Sequence, residues 1–237
     1  MKIAIIGYGR MGQSIEEIAL ERNHNIVAKI DSPEDIKGWE SAKNADVAIE
    51  FSLPQSAVNN ISTCFSKNIP IVVGTTGWYN QFDAIQEECK KQNGALFHAT
   101  NFSVGVNLFF ELNKHLAKLM RKQDAYDLAI HEIHHIHKVD APSGTAISLA
   151  EQILNENPKK KDWTKESTSD PSLIGVTSSR IEEVPGTHTI SYTSDIDRIE
   201  IQHEAKSRKG FALGAVLAAE FLNGKTGIYT MADLLNL

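Results

Sequence analysis

Five short apolar runs punctuate the first hundred residues: Ile3–Ile6, Ile26–Ile30, Val47–Phe51, Ile69–Val73 and Ala95–Ala99. Each is nearly continuous rather than alternating, as in strands covered on both faces. Between them, apolar positions recur at helical spacing. Met11, Ile15, Ile18 and Ala19 share one face, as do Ala57, Ile61, Cys64 and Phe65, and then Phe82, Ile85 and Cys89. The stretch from Asp31 to Ala45 is less periodic; Ser32-Pro33-Glu34-Asp35 reads as a turn or helix start before a short helix. Strand and helix alternating at this spacing predict a parallel sheet with helices on both faces, an α/β architecture.

The pattern changes after Phe102. Val104 to Met120 reads as one long helix, Asp127 to His135 as a strand, and Ser143 to Leu154 as a helix with Ser143 at its N-cap. Asn155 to Pro171 is polar and Lys-rich and reads as a loop. Leu173–Arg180, Thr187–Thr193 and Arg198–Ala205 read as strands of an open sheet, so a second, α+β region follows the first. From Gly210 the chain is helical again, and Phe211 to Ala219 is apolar nearly all round, which predicts a buried helix.

Composition narrows the function. In 237 residues, 24 Lys and Arg face 30 Asp and Glu, a formal charge of −6. That balance argues against a general nucleic-acid binder. The longest apolar run is far short of the roughly 20 residues a membrane span needs. The opening Ile3-Ala4-Ile5-Ile6 is too short for an export signal, so a cytoplasmic address is expected. Cys64 and Cys89 are too few for a disulfide framework and read as small buried hydrophobes.

Gly7-Tyr8-Gly9-Arg10-Met11-Gly12 fits G-x-G-x-x-G, a weak signal in isolation. Here it follows a strand, opens a helix, and is trailed by Asp31 at the end of the second strand, the full dinucleotide-binding context. Gly7 permits the turn, Gly9 lets backbone approach a pyrophosphate, and Gly12 allows close helix–strand packing. The helix N-terminus offers N–H groups to phosphate, and Asp31 can accept from ribose hydroxyls. An Asp with no Arg after it would repel a 2′-phosphate, which favours NADH slightly over NADPH. Gly74-Thr75-Thr76 and Ala99-Thr100-Asn101-Phe102 each follow a strand of the same sheet, at the carboxyl edge where such sheets bind ligands.

Four of the nine histidines lie within His131-Glu132-Ile133-His134-His135-Ile136-His137. His131 to His135 matches the H-E-x-x-H zinc pattern, but that motif needs a helix. On a strand the two histidines stand about 13 Å apart, too far to share a metal, so no metal site is expected there. The alternative is proton chemistry beside an anion site. Imidazole titrates near neutrality, Lys138 adds a fixed cation, and Pro142-Ser143-Gly144-Thr145 opens a helix whose N–H groups can meet a carboxylate.

His134-His135-x-x-Lys138-x-Asp140-Ala141-Pro142-Ser143-Gly144-Thr145-Ala146 resembles the signature of the 4-hydroxy-tetrahydrodipicolinate (dihydrodipicolinate) reductase family of lysine and diaminopimelate biosynthesis. Gly9–Gly12, Gly74–Gly77, Asn101–Asn107 and Ser207–Ala215 are similar to further family motifs, so the resemblance spans the chain. It implies a Rossmann-type parallel-sheet domain over 1–102, completed by 209–237. It also implies a substrate-binding and oligomerisation domain with an open mixed sheet over 103–208, assembling a homotetramer. It implies that His134 and Lys138 are catalytic, His134 as proton donor and acceptor and Lys138 as a second donor, and that His135, Gly144 and Thr145 hold the dicarboxylate substrate. Residues 7–12, Asp31, 74–76 and 99–102 would bind NAD(P)H, with the substrate reduced between the domains and water lost. Ile136 stands where the family commonly has Arg, and Thr187, before His188, where it commonly has Glu. Arg208 could meet a cofactor phosphate or a substrate carboxylate. Another oxidoreductase of small carboxylated substrates would lack the His-His-Lys segment. A nicotinamide-sensing regulator should carry a DNA-reading module, and none is visible in the sequence.

Overall fold

The computed structural model of the chain describes residues 1–32, 34–207 and 209–237; Pro33 of the expected turn and Arg208 lie outside the described residues. The chain divides into two units, Met1–Val104 with Lys209–Leu237, and Gly105–Arg208.

The first unit alternates β1 (Lys2–Ile6), α1 (Arg10–Glu21), β2 (Asn25–Ile30), α2 (Ile36–Ala42), β3 (Val47–Glu50), α3 (Pro54–Ser66), β4 (Ile71–Val73), α4 (Phe82–Lys91) and β5 (Ala95–His98). Local chemistry sets the ends. Asp35 caps α2 by accepting from the Gly38 N–H at 2.9 Å. Pro54 occupies the first turn of α3, where its missing N–H costs nothing. Asn23, Asn68 and Asn93 turn the chain out of α1, α3 and α4 at φ of 61°, 55° and 51°, a left-handed conformation that Asn tolerates. The strands form a six-stranded parallel sheet ordered β11-β5-β4-β3-β1-β2, in which β11 (Gly227–Tyr229) comes from the chain's end. The sheet is buried on both faces. Ile3, Ile5, Ile49, Val72 and Phe97 pack with α1 and with α7 (Lys209–Leu222), whose Ala212, Ala215, Val216 and Ala219 are fully buried. Ala4, Ala48, Ile71, Val73 and Leu96 pack with α3 and α4 on the other face, where Cys64 and Cys89 are buried free thiols.

The second unit contains most of α5 (Val104–Met120), then β6 (Asp127–His134), α6 (Gly144–Glu156), β7 (Asp162–Thr164), β8 (Leu173–Arg180), β9 (Gly186–Thr193) and β10 (Arg198–Ala205). Its mixed sheet is ordered β10-β9-β6-β8-β7. The stretch expected to be a loop from Asn155 holds the end of α6 and the short strand β7, which pairs in parallel with β8. Three residues of Asp-Trp-Thr are too few for alternation to show. The last short elements, β11 and α8 (Met231–Leu235), were also invisible to periodicity. No helix is long and apolar enough to cross a membrane among the described residues.

Register positions the chemistry of this unit. On β6 the buried face runs Leu128, Ile130, Glu132, His134. Pairing sets Leu128 opposite Tyr192, Ile130 beside Ile190 and Val176, Glu132 beside His188 and Ser178, and His134 beside Arg180. One sheet face is therefore apolar over its first rows and polar over its last. Ala146, Leu149, Ala150 and Ile153 of α6 cover the apolar rows, and the N-terminus of α6 reaches the polar ones.

Candidate active site

The expected dinucleotide residues all lie in the first unit, where β1, β2, β4 and β5 deliver them to the carboxyl edge of the parallel sheet. Gly7 turns the chain after β1 at φ 87°, and its N–H donates to the Ile30 carbonyl at 2.7 Å. A side chain there would collide with the Phe51 carbonyl, and one at Gly12 with the Gly7 carbonyl. Around Gly9, by contrast, the position of an added Cβ is open and no side chain caps α1 among the described residues. The N–H groups of Arg10, Met11 and Gly12 open a helix and have no intrahelical acceptor, which fits a pyrophosphate. Asp31 is tied to the same loop: its Oδ1 accepts the Tyr8 N–H at 2.6 Å. The Tyr8 hydroxyl pairs with Glu16 and takes a hydrogen bond from Lys29 at 3.0 Å.

The neighbouring loops close around this edge. Thr75 Oγ1 accepts the Ser52 N–H at 2.8 Å, and the buried Trp78 ring donates to the Thr75 carbonyl at 2.8 Å. A cavity of about 270 Å³ is lined by Met11, Phe51, Ser52 and Gly74–Thr76. Ala99 and Thr100 follow β5; the Asn101 side chain accepts the Ser103 N–H at 2.9 Å, and Phe102 is buried against Phe51 and Phe97. Under these loops lies Glu50, which sequence reading absorbed into an apolar run. Its carboxyl is fully buried, accepts from Ser52 and Asn60, and is pushed above the usual carboxylate range by burial.

His134, His135, Lys138, Gly144 and Thr145 all belong to the second unit. His131 and His135 do not converge. His131 points to the sheet face opposite Glu132 and His134, bonded to Thr177 and Ser179. His134 is instead part of a buried cluster that sequence reading missed. Glu132 is fully buried; the Ser143 N–H meets both its oxygens at 3.1 Å, the Ser178 hydroxyl meets Oε1 at 2.8 Å and Arg180 meets Oε1 at 3.3 Å. Its Oε2 faces His134 Nε2 at 3.5 Å and His188 Nε2 at 3.6 Å. Burial would raise the Glu132 pKa, but bonds from His134, His188, Ser143 and Ser178 outweigh it and hold the group far below the usual range. Burial, reinforced by charge at His134 and Lys138, lowers the pKa of His188 against the pull of Glu132.

The segment after β6 is pinned by Arg180, which donates to the carbonyls of Lys138 at 3.2 Å and Asp140 at 2.5 Å. Lys138 pairs with Asp140 at 2.9 Å. Ser143 caps α6 by accepting from the Ala146 N–H at 3.2 Å, so the amides of Gly144 and Thr145 open the helix without an intrahelical acceptor. His135 keeps a buried Nδ1 with no hydrogen-bond partner among the described residues. Only the even spacing of Glu132 and His134 hinted at the cluster. His188 and Arg180 carry no local signal, because tertiary register brings them in.

Comparison with known proteins gives a consistent answer. Residues 1–102 match the family described as dihydrodipicolinate reductase, N-terminus, and residues 105–235 its C-terminus. The chain is 54% identical over 237 residues to a 4-hydroxy-tetrahydrodipicolinate reductase of Christiangramia forsetii, covering all of this chain and 98% of the relative. It is 41% identical over 200 residues to the enzyme of that name from Neisseria meningitidis serogroup C, covering 81% of this chain and 73% of that one. Among solved structures it resembles a dipicolinate-bound dihydrodipicolinate reductase from Paenisporosarcina sp. TG-14. The TM-score is 0.80 at 22% identity, over 97% of each chain, a likeness of fold.

Proposed function

This chain belongs to the dihydrodipicolinate reductase family, and from that premise we propose how its residues divide the reaction. Its activity is the NAD(P)H-dependent reduction of 4-hydroxy-tetrahydrodipicolinate to tetrahydrodipicolinate with loss of water, a step of lysine and diaminopimelate biosynthesis. The bound reduced nicotinamide supplies the hydride.

In our reading, the uncapped start of α1 with Gly7, Tyr8, Gly9 and Gly12 holds the pyrophosphate, and Asp31 holds the adenine-side ribose. The loops 74–76 and 99–102 hold the nicotinamide half. NADH is favoured over NADPH because Asp31 repels a 2′-phosphate. The nearest cation on the same strand, Lys29, is already engaged by Glu16 at 2.7 Å. The substrate's carboxylates meet Lys138, His135 and the amides of Gly144 and Thr145. After hydride addition, His134 delivers a proton from Nε2 to the resulting enamine, and Lys138 is a second donor. Glu132 orients His134. The observation that carries this assignment is the junction of His134 with Glu132 and His188, beside Lys138 and an open helix start. We also propose that the second unit's sheet assembles a homotetramer and that the enzyme works in the cytoplasm, where reduced nicotinamide nucleotides are held.

The test is NADH oxidation on adding freshly generated hydroxy-tetrahydrodipicolinate. His134→Gln keeps a polar side chain but cannot transfer the proton, so kcat should fall about 10²–10⁴-fold with NADH affinity unchanged. A wild-type kcat in that variant would remove His134 from proton transfer.

A further inference from the structure

The same buried cluster has the dimensions of a metal site. His134 Nε2, His188 Nε2 and Glu132 Oε2 stand at the corners of a triangle with sides of 3.4, 3.5 and 3.6 Å. The circumradius of that triangle is about 2.0 Å, so an ion about 0.5 Å off its plane stands about 2.1 Å from all three atoms, the length of a zinc–imidazole or zinc–carboxylate bond, with room for a fourth ligand. The imidazole ring centres are 5.1 Å apart, further than their Nε2 atoms, so the rings approach each other by their Nε2 corners. Without an ion, both imidazoles can donate from Nε2 to Glu132 Oε2.

The surroundings orient the ligands. Ser178 and Arg180 bind Glu132 Oε1, and the Ser143 N–H spans both oxygens, which leaves Oε2 directed at the histidines. Such contacts to a ligating carboxylate fix its geometry in metal sites. Without an ion, Ser143 Oγ, 3.2 Å from His188 Nε2, is a hydrogen-bond partner of that nitrogen. All three ligands are buried, and two imidazoles with one carboxylate suit zinc-class ions rather than calcium or magnesium. The pattern is unrelated to H-E-x-x-H: it joins two positions of β6 on one face to one of β9 through strand register.

We propose that Glu132, His134 and His188 bind a zinc-class divalent cation, and that the bound ion inhibits the enzyme by occupying Nε2 of His134. The binding stands on geometry alone; the inhibition rests on the proton-donor role assigned to His134.

The full-length enzyme, stripped with EDTA and desalted, would be titrated with Zn²⁺ against a chromogenic chelator, and with Co²⁺ for its visible spectrum. We expect one ion per chain and an intense tetrahedral cobalt spectrum. Both should be lost in His188→Ala and in Glu132→Gln, and kept in His137→Ala, which removes an exposed histidine outside the triad. Absence of stoichiometric binding, an octahedral cobalt spectrum in the wild type, or binding retained by His188→Ala would overturn the site. The wild-type cobalt spectrum decides the matter even if a variant fails to fold. Zinc saturation should lower activity at least tenfold, reversibly with EDTA. Binding at the triad with full activity would uphold the site and overturn both the inhibition and the role of His134 in proton transfer.

Discussion

Two carboxylates of the parallel sheet show how one residue type serves different ends. Asp31 is exposed at the end of β2, with Oδ1 bonded to the Tyr8 N–H, and the proposed binding mode gives it a ribose. Asp31→Ala should therefore raise the Michaelis constant for NADH more than that for NADPH; an unchanged ratio would separate Asp31 from the ribose. Glu50, at the end of β3, is buried, and burial favours its neutral form. Its folded pKa lies above the ordinary 4.5. The folded state thus holds the proton more tightly, and the stability this gives is full below pH 4.5 and declines as pH rises through the folded value. Glu50→Gln keeps an acceptor for Ser52 and cannot ionise. Its melting temperature relative to wild type should rise as pH is raised from 4.5 towards neutrality; a pH-independent difference would contradict the account. The behaviour of Glu50 was not legible locally, since it sits in a run of apolar residues and reads like the end of any strand.

At the scale of elements, α7 shows why composition matters beyond hydrophobicity. A Cβ on Gly214 would drive into the Phe102 carbonyl, so glycine lets the helix lie directly on the backbone of the 99–102 loop. Gly214→Ala should displace that loop, lower stability, and raise the Michaelis constant for NADH several-fold with the cofactor chemistry itself intact. Wild-type thermal stability and NADH affinity would show that the contact does not position the loop. The strand β6 illustrates the other use of pattern. Its alternation sends Leu128 and Ile130 into the core and, with the same period, Glu132 and His134 into the polar rows beyond it. A helix in that place would have brought His131 and His135 together; the strand separates them and pairs Glu132 with His188.

For the whole molecule, the first unit is built from both ends of the chain, and its core depends on the terminal helix: Leu222 and Ala219 are fully buried with Ile5 and Phe97. The second unit presents β10 at the edge of its sheet, eight residues long with Ile199 exposed. An edge strand of that length is a template for association, and the proposed homotetramer would use it. Light scattering should give four times the chain mass of 26.2 kDa, and a monomer mass at working concentration would refute it.

Legibility followed sequence distance. The glycine loop, its strand and its helix lie within 21 residues of one another, and the motif from His134 to Ala146 is contiguous, so both could be read directly. Period two and period 3.6 likewise assigned most strands and helices, because each is a local consequence of burying one face. Short strands such as β7 and β11 escaped, being held by pairing partners rather than by their own pattern.

The sequence by itself determined the two-part architecture, the glycine loop and the histidine-lysine segment, since each is encoded in neighbouring residues. Only the tertiary structure decided what surrounds His134. Glu132 lies two residues away on the same strand face, but His188 and Arg180 arrive from β9 and β8, more than forty residues on. Their arrival is set by strand register, a property of paired backbones that no single stretch of sequence contains.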